Sequence, residues 1–251
     1  MDQPILVVEN VTKRFGGIAA LKGVSFEVKR GEFMGVIGPN GAGKTTLFNV
    51  VSGWIKPDSG KVVFNAQEIT GRRPSAVVRL GLVRTFQLVK PFLNLSALDN
   101  VVLAALSATG REHGKLQPED MALNALRSVG LEDRAHIAAS QLTHGELKRL
   151  GVAQGLVLNP TLLLLDEPFG GLSGEEISVV SKVLLERSSR GLSFVVIEHR
   201  VRELMRLVNR VVALDQGSVI KVGTPEEVVD DDRVLEAFLG RGTGVAGSKG
   251  N

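Results

Sequence analysis

The stretch GPNGAGKTT, Gly38 to Thr46, restricts the fold more than any other feature of this chain. It meets every fixed position of the pattern G-x-x-x-x-G-K-[ST]. It also lies where that pattern has physical meaning, between an apolar run that reads as a strand and a segment, GKTTLFNVVSGW, with helical spacing. The backbone of Gly38, Pro39, Asn40, Gly41, Ala42 and Gly43 can then turn its N–H groups onto phosphate oxygens. The start of the following helix adds a field that favours negative charge. Lys44 is placed to reach β and γ phosphates as a mobile cation. Thr45 can ligate Mg²⁺, and Thr46 can add a phosphate contact. Strand, Gly-rich loop and helix in this order require an α/β core.

The rest of the chain supplies such a core. Its 251 residues allow one large domain or a core with an inserted lobe. Apolar residues make up 43% and charged residues 23%, the balance of a globular protein. A net charge of +3 does not call for nucleic acid as a partner. The chain has no cysteine, which excludes disulfides and Cys-based zinc sites. Its longest apolar runs, such as VVLAAL and LLLL, fall far short of the roughly 20 residues that span a bilayer. The N-terminus lacks the basic-then-apolar order of a signal peptide. Work at a membrane is therefore expected to pass through a partner.

Along the chain, ILVVENVTKRF, GVSFEVKRGEFMGVIG and KVVFNAQEIT (Lys61 to Thr70) read as strands, as does LGLVRTFQ (Leu80 to Gln87). Mostly helical patterning follows. SALDNVVLAAL opens on the cap-like pair Ser96 and Asp99, and PEDMALNALRSVG runs from Pro118 to Gly130. A further helix is expected from about Glu146 to Leu158. Buried strands then alternate with helices, and RVVALDQGSVIKVG reads as a hairpin turning at Gln216 and Gly217. The expected organisation is a single domain over 1–240. Its core comprises 1–87 and 159–240, with an antiparallel β edge on the N-terminal side and a helical subdomain over about 88–158. A Gly-rich tail, 241–251, is expected to be disordered.

Further chemistry sits at the ends of the buried strands. TLLLLDEP delivers Asp166 and Glu167. An Asp there can hold the water shell of Mg²⁺, and the adjacent Glu can act as general base on an attacking water. FVVIEH delivers His199 one strand–helix–strand interval later. It could emerge beside Glu167 and hydrogen-bond a γ phosphate. Gln87 can offer an oxygen to Mg²⁺ or water, and Phe15 could stack on adenine. LTHGE, Leu142, Thr143, His144, Gly145 and Glu146, leads into a helix whose free N–H groups would make a second anion site. Two phosphate-binding devices about a hundred residues apart meet either within one subunit or across two.

Taken in order, the Gly38–Thr46 loop, Gln87, Leu142–Glu146, Asp166–Glu167 and His199 resemble an ATP-binding subunit of an ABC transporter, over nearly the whole chain. GLVRTFQLVKPF, IEH, GTPEEV and VLEAFLG resemble the branched-chain amino-acid importer branch. The resemblance implies a P-loop NTPase core, ATP and Mg²⁺ as cofactors, and two ATP molecules sandwiched in a head-to-tail dimer with a like or unlike second ATPase subunit. It implies Thr45, Gln87 and Asp166 around Mg²⁺, Glu167 as base and His199 as γ-phosphate switch, with Leu142–Glu146 on the opposite subunit's γ phosphate. Cytoplasmic helices of a membrane permease would dock after Gln87 and on the helical lobe. That would hold the chain at the cytoplasmic face of the membrane, with a solute-binding protein as a further partner. Some residues depart from the family's usual pattern: His144 for Gly, Glu146 for Gln, Ser173 for Asp or Asn and Arg200 for Asp. His144 has two readings, a tolerated side chain facing away from nucleotide or a contact to the partner that adds pH sensitivity. The reading from another class is a soluble ATPase of the same type in DNA repair or translation.

Overall fold

The computed structural model describes residues 3–86, 90–107 and 117–239. Gln87 and the tail expected to be disordered lie outside them. Two sheets organise the chain. The first is antiparallel, with order β2-β1-β4-β5: β1 (Leu6–Phe15), β2 (Ile18–Val28), β4 (Ser59–Phe64) and β5 (Gln67–Glu68). β1 and β2 form a hairpin closed by Phe15 and Ile18. The run Lys61–Thr70, expected as one strand, is a hairpin. Asn65 and Ala66 take φ of 51° and 59°, the two-residue turn that reverses β4 into β5.

The second sheet has order β10-β9-β3-β8-β7-β6, with β3 (Phe33–Ile37), β6 (Leu82–Arg84), β7 (Leu162–Asp166), β8 (Ser193–Ile197), β9 (Arg210–Asp215) and β10 (Ser218–Gly223). Its pairs are parallel except β9 with β10, the expected hairpin. Every residue of β3, β7 and β8 is buried. That is why these strands read as continuous apolar runs: a parallel sheet is covered on both faces. Alternate residues serve different cores. Leu163, Leu165, Phe194 and Val196 face one apolar cluster, and Leu162, Leu164, Val195 and Ile197 face the other.

α1 (Lys44–Val51) packs in the second of these clusters with the antiparallel sheet. α2 (Pro74–Leu80), absent from the sequence reading, carries the usual punctuation: Pro74 in its first turn and Gly81 as a left-handed cap at φ 109°. It shortens the strand expected over Leu80–Gln87 to Leu82–Arg84. α3 (Ala97–Ser107), α4 (Pro118–Ser128) and α5 (His144–Val157) pack on one another and share the first cluster with the sheet. α6 (Gly174–Ser189), α7 (Val201–Met205), α8 (Pro225–Val229) and α9 (Asp232–Leu239) complete the chain.

Ser96 and Asp99 exchange the expected capping bonds at 3.0 and 3.2 Å. The parallel register sets Asp166 beside Ile197, and Ile197 beside Val36. The carboxyl ends of β3, β7 and β8 therefore release their loops at one edge, where ligands of open α/β sheets bind.

Candidate functional site

The Gly-rich loop leaves β3 and enters α1. Gly38 has φ 154°, and a Cβ there would run into the Leu214 carbonyl. Gly43 has φ 102°, and its Cβ would fall 2.6 Å from the Ala20 oxygen. Both positions thus exclude side chains. Gly43 caps α1 without a side-chain bond, and the first turn of α1 carries no acidic residue. These are the conditions of an anion-binding helix start. Lys44 is buried, and its Nζ donates to the Gly38 and Pro39 carbonyls at 2.6 and 2.9 Å. Burial lowers its pKa, against the opposing pull of Glu167 and Asp166. A cavity of about 430 Å³ opens over the loop. Residues 40–46, Ile18, Glu167 and His199 line it. Phe15 is not part of this lining; it is half exposed at the end of the β1–β2 hairpin, with Lys13 Nζ 5.7 Å from its ring centroid.

β7 and β8 bring the acidic and imidazole groups together. Glu167 Oε1 stands 3.0 Å from His199 Nε2. Glu167 takes φ 51°, a left-handed backbone uncommon outside glycine. Its N–H donates to Ile197 O at 2.9 Å, and its carbonyl accepts from Lys148 Nζ at 3.1 Å. Glu198 is 3% exposed and is not among the site residues expected from the sequence. Its Oε1 accepts from Phe169 N at 2.6 Å, and its Oε2 from His199 N at 3.0 Å and Arg200 N at 3.2 Å. It thereby staples the loop after β7 to the loop after β8. Burial raises its pKa, partly offset by these N–H bonds. The clue in the sequence was an acid ending the apolar run FVVI.

Asp166 pairs with Arg84 of β6 at 2.8 Å, both side chains being 4% exposed. Arg84 also donates to Asn49 Oδ1 at 2.6 Å and lies 5.0 Å from the Phe86 ring centroid. Arg84→Met leaves a buried carboxylate without this cation and is expected to cost about 3–5 kcal/mol of stability, read from urea unfolding; a loss under about 1 kcal/mol would mean that the carboxylate is solvated. Among the described residues no three His, Asp, Glu or Cys side chains gather as a metal cage. A cation at this site would draw ligands from phosphate and water, the habit of Mg²⁺ at nucleotides. Thr45, exposed at the start of α1, and Asp166 border one groove and are the residues that could anchor it.

The stretch Leu142–Glu146 stands apart: none of its residues lines the phosphate cavity of its own chain. Its N–H groups are also not all free, as the sequence had suggested. Thr143 is the cap of α5, so the helix starts earlier than Glu146. Thr143 Oγ1 accepts from Glu146 N at 3.2 Å, and Glu146 Oε2 accepts from Thr143 N at 2.8 Å. This capping box uses two of the donors. Glu146 Oε1 also accepts from Arg134 Nε at 2.8 Å. Burial works to raise the Glu146 pKa, but the Thr143 N–H and the Arg134 guanidinium outweigh it and hold it below its usual value. Gln in place of Glu146 would lack the charge that Arg134 meets. The exposed His144 ring rests over Gly171 of the same chain; a Cβ on Gly171 would lie 2.6 Å from its Cδ2.

Residues 21–170, more than half of the chain, match the ABC transporter family. The chain belongs to that family. It is 34% identical to the high-affinity branched-chain amino acid transport ATP-binding protein LivG of Salmonella typhimurium, over 96% of this chain and 99% of LivG. Its fold matches the ADP conformation of MJ1267, an ATP-binding cassette of an ABC transporter. The TM-score is 0.84 with 30% identity, covering 95% of this chain and 99% of that one. It also matches a dimeric post-hydrolysis cassette, MJ0796 bound to ADP and Pi, with TM-score 0.79 and 26% identity, over 88% and 98% of the two chains. The cassette is thus a nucleotide-binding α/β protein of the P-loop NTPase fold, and ABC cassettes hydrolyse ATP to power transport. The matches favour the transporter reading over DNA repair or translation. No helix among the described residues is long and apolar enough to cross a membrane.

Proposed function

We propose that this cassette is the ATP-hydrolysing motor of an importer for branched-chain amino acids, held at the cytoplasmic face of the membrane by permease subunits. The observation that carries the hydrolytic part is the Glu167–His199 pair at 3.0 Å on the edge of the phosphate-loop cavity. In this reading residues 38–46 hold the phosphates of ATP, and Phe15 stacks on adenine. Thr45, Gln87 and Asp166 would hold Mg²⁺, which would neutralise phosphate charge when bound. Glu167 takes the proton of the attacking water. His199 Nε2–H is shared between Glu167 and the γ phosphate.

Leu142–Glu146 works on the nucleotide of a second ATPase subunit, which agrees with its absence from the cavity of its own chain. The likeness to LivG supports the substrate class. The groove of about 730 Å³ that Thr45 and Asp166 border runs on past Trp54, Phe86, Lys90 and Gln154, and that outer part suits the permease's cytoplasmic helices. Trp54 and Phe86 meet edge to face with centroids 5.5 Å apart, and both are exposed. A solute-binding protein would deliver the substrate to the permease.

The test is co-purification followed by reconstitution. The expected result is a polytopic permease partner and ATP-dependent leucine uptake into vesicles. Recovery with DNA or ribosomes instead, or no uptake of any branched-chain amino acid by the reconstituted complex, would overturn the reading.

A further inference from the structure

α5 starts with the stretch assigned above to the partner's nucleotide. One turn later the same helix carries Lys148, whose side chain is buried. Its ammonium does not stay with the helical lobe. It crosses to the loop after β7 and donates to the Glu167 carbonyl at 3.1 Å. His144, four residues earlier and so on the same helical face, rests over Gly171 at the other end of that loop. One face of α5 therefore grips the loop at both ends.

The grip falls on a backbone that needs holding. A non-glycine residue at φ 51° costs on the order of 1–2 kcal/mol. Glu167 is kept there by bonds to its N–H and its carbonyl. Burial of the Lys148 ammonium lowers its pKa, while Glu167, Glu198 and Asp166 favour its charge. A buried cation is costly to maintain for packing alone.

We propose that Lys148 is a positioning residue for Glu167: it fixes the left-handed backbone from which the carboxylate projects, and it ties that carboxylate to the signature stretch on the same helix. Engagement of Thr143–Glu146 with the partner's nucleotide would then reach the base of this chain's own site through one helix turn. The inference rests on the reading of Glu167 as general base.

The test is a double-mutant cycle on the full-length chain, using Lys148→Met, Glu167→Gln and the pair. ATP turnover is measured under steady-state and single-turnover conditions, and ATP affinity by equilibrium binding. Lys148→Met is expected to lower kcat by about 10- to 100-fold, the scale of a misplaced catalytic group, with KM and ATP affinity within about twofold. In the Glu167→Gln background the same change is expected to add less than about a further twofold loss, because the group it positions is gone. Lys148→Arg, which keeps a donor cation, is expected to stay within about fivefold of wild-type kcat.

Unchanged kcat in Lys148→Met, an equal loss in both backgrounds, or a parallel loss of ATP affinity would overturn the proposal. If Lys148→Met does not melt cooperatively, the cycle is run with Lys148→Gln under the same criteria. Wild-type turnover in Glu167→Gln would remove the general-base reading and this inference together. A normal Lys148→Met beside an inactive Glu167→Gln would remove this inference alone.

Discussion

Glu167→Gln is expected to lower kcat for ATP hydrolysis by about 10²- to 10⁴-fold, the contribution of a positioned general base, and to leave ATP affinity nearly unchanged. The amide keeps the volume and one acceptor oxygen of the carboxylate, so the left-handed backbone and its bonds to Ile197 and Lys148 persist. What disappears is the basic oxygen 3.0 Å from His199 Nε2. Because binding survives while hydrolysis fails, the variant should accumulate as an ATP-bound dimer, visible by size-exclusion chromatography with ATP and not with ADP. Turnover near wild type would sink the assignment of the base.

Lys44→Ala should act on the opposite step. In the structure its ammonium is folded back on the Gly38 and Pro39 carbonyls inside the loop. Phosphate oxygens would replace those carbonyls with full negative charge, and a hydrogen bond between ionised partners is about twice as strong as a neutral one. Removing the cation takes from the loop its one charged side chain facing the polyphosphate and leaves backbone N–H groups, the Thr45 and Thr46 hydroxyls and any Mg²⁺ to hold it. The expected result is a loss of ATP affinity of at least about 10-fold, some 1.4 kcal/mol, with turnover falling to background at ordinary ATP concentrations. The change also takes away the side chain that bonds the Gly38 and Pro39 carbonyls of the loop. Affinity should therefore be read by titration at a temperature where circular dichroism shows the fold intact. Wild-type affinity in a folded Lys44→Ala would remove Lys44 from the phosphate site.

Features with a local cause were legible in the sequence. The loop at 38–46 was readable because its spacing is itself the geometry. β7 and β8 were readable because burial on both faces leaves an unbroken apolar run. The placement of His199 beside Glu167 followed from counting one crossover. Arg84, Glu198 and Lys148 were not found, since each acts on a residue brought close only by sheet order or helix packing. Thr143-x-x-Glu146 shows a different failure. It has the form of a capping box, while the sequence-based expectation for it is only a second anion site; Ser173-x-x-Glu176 and Thr224-x-x-Glu227 form the same box in this chain. α2 had its own local signals, Pro74 at its start and Gly81 at its end, but its seven residues are too few for a periodic pattern to stand out.

The alternation along β7 has a mechanical meaning. Leu162 and Leu164 are seated in one apolar cluster, Leu163 and Leu165 in the other, and Asp166 ends the strand between them. The strand is a shared wall, loaded from both sides, and neither cluster can relax without pushing on the other. Asp166, the last residue of the strand, is therefore clamped from both faces. Glu167, one residue beyond that wall, depends instead on holds from outside the strand, the ammonium of Lys148 on its carbonyl and the imidazole of His199 on its carboxylate.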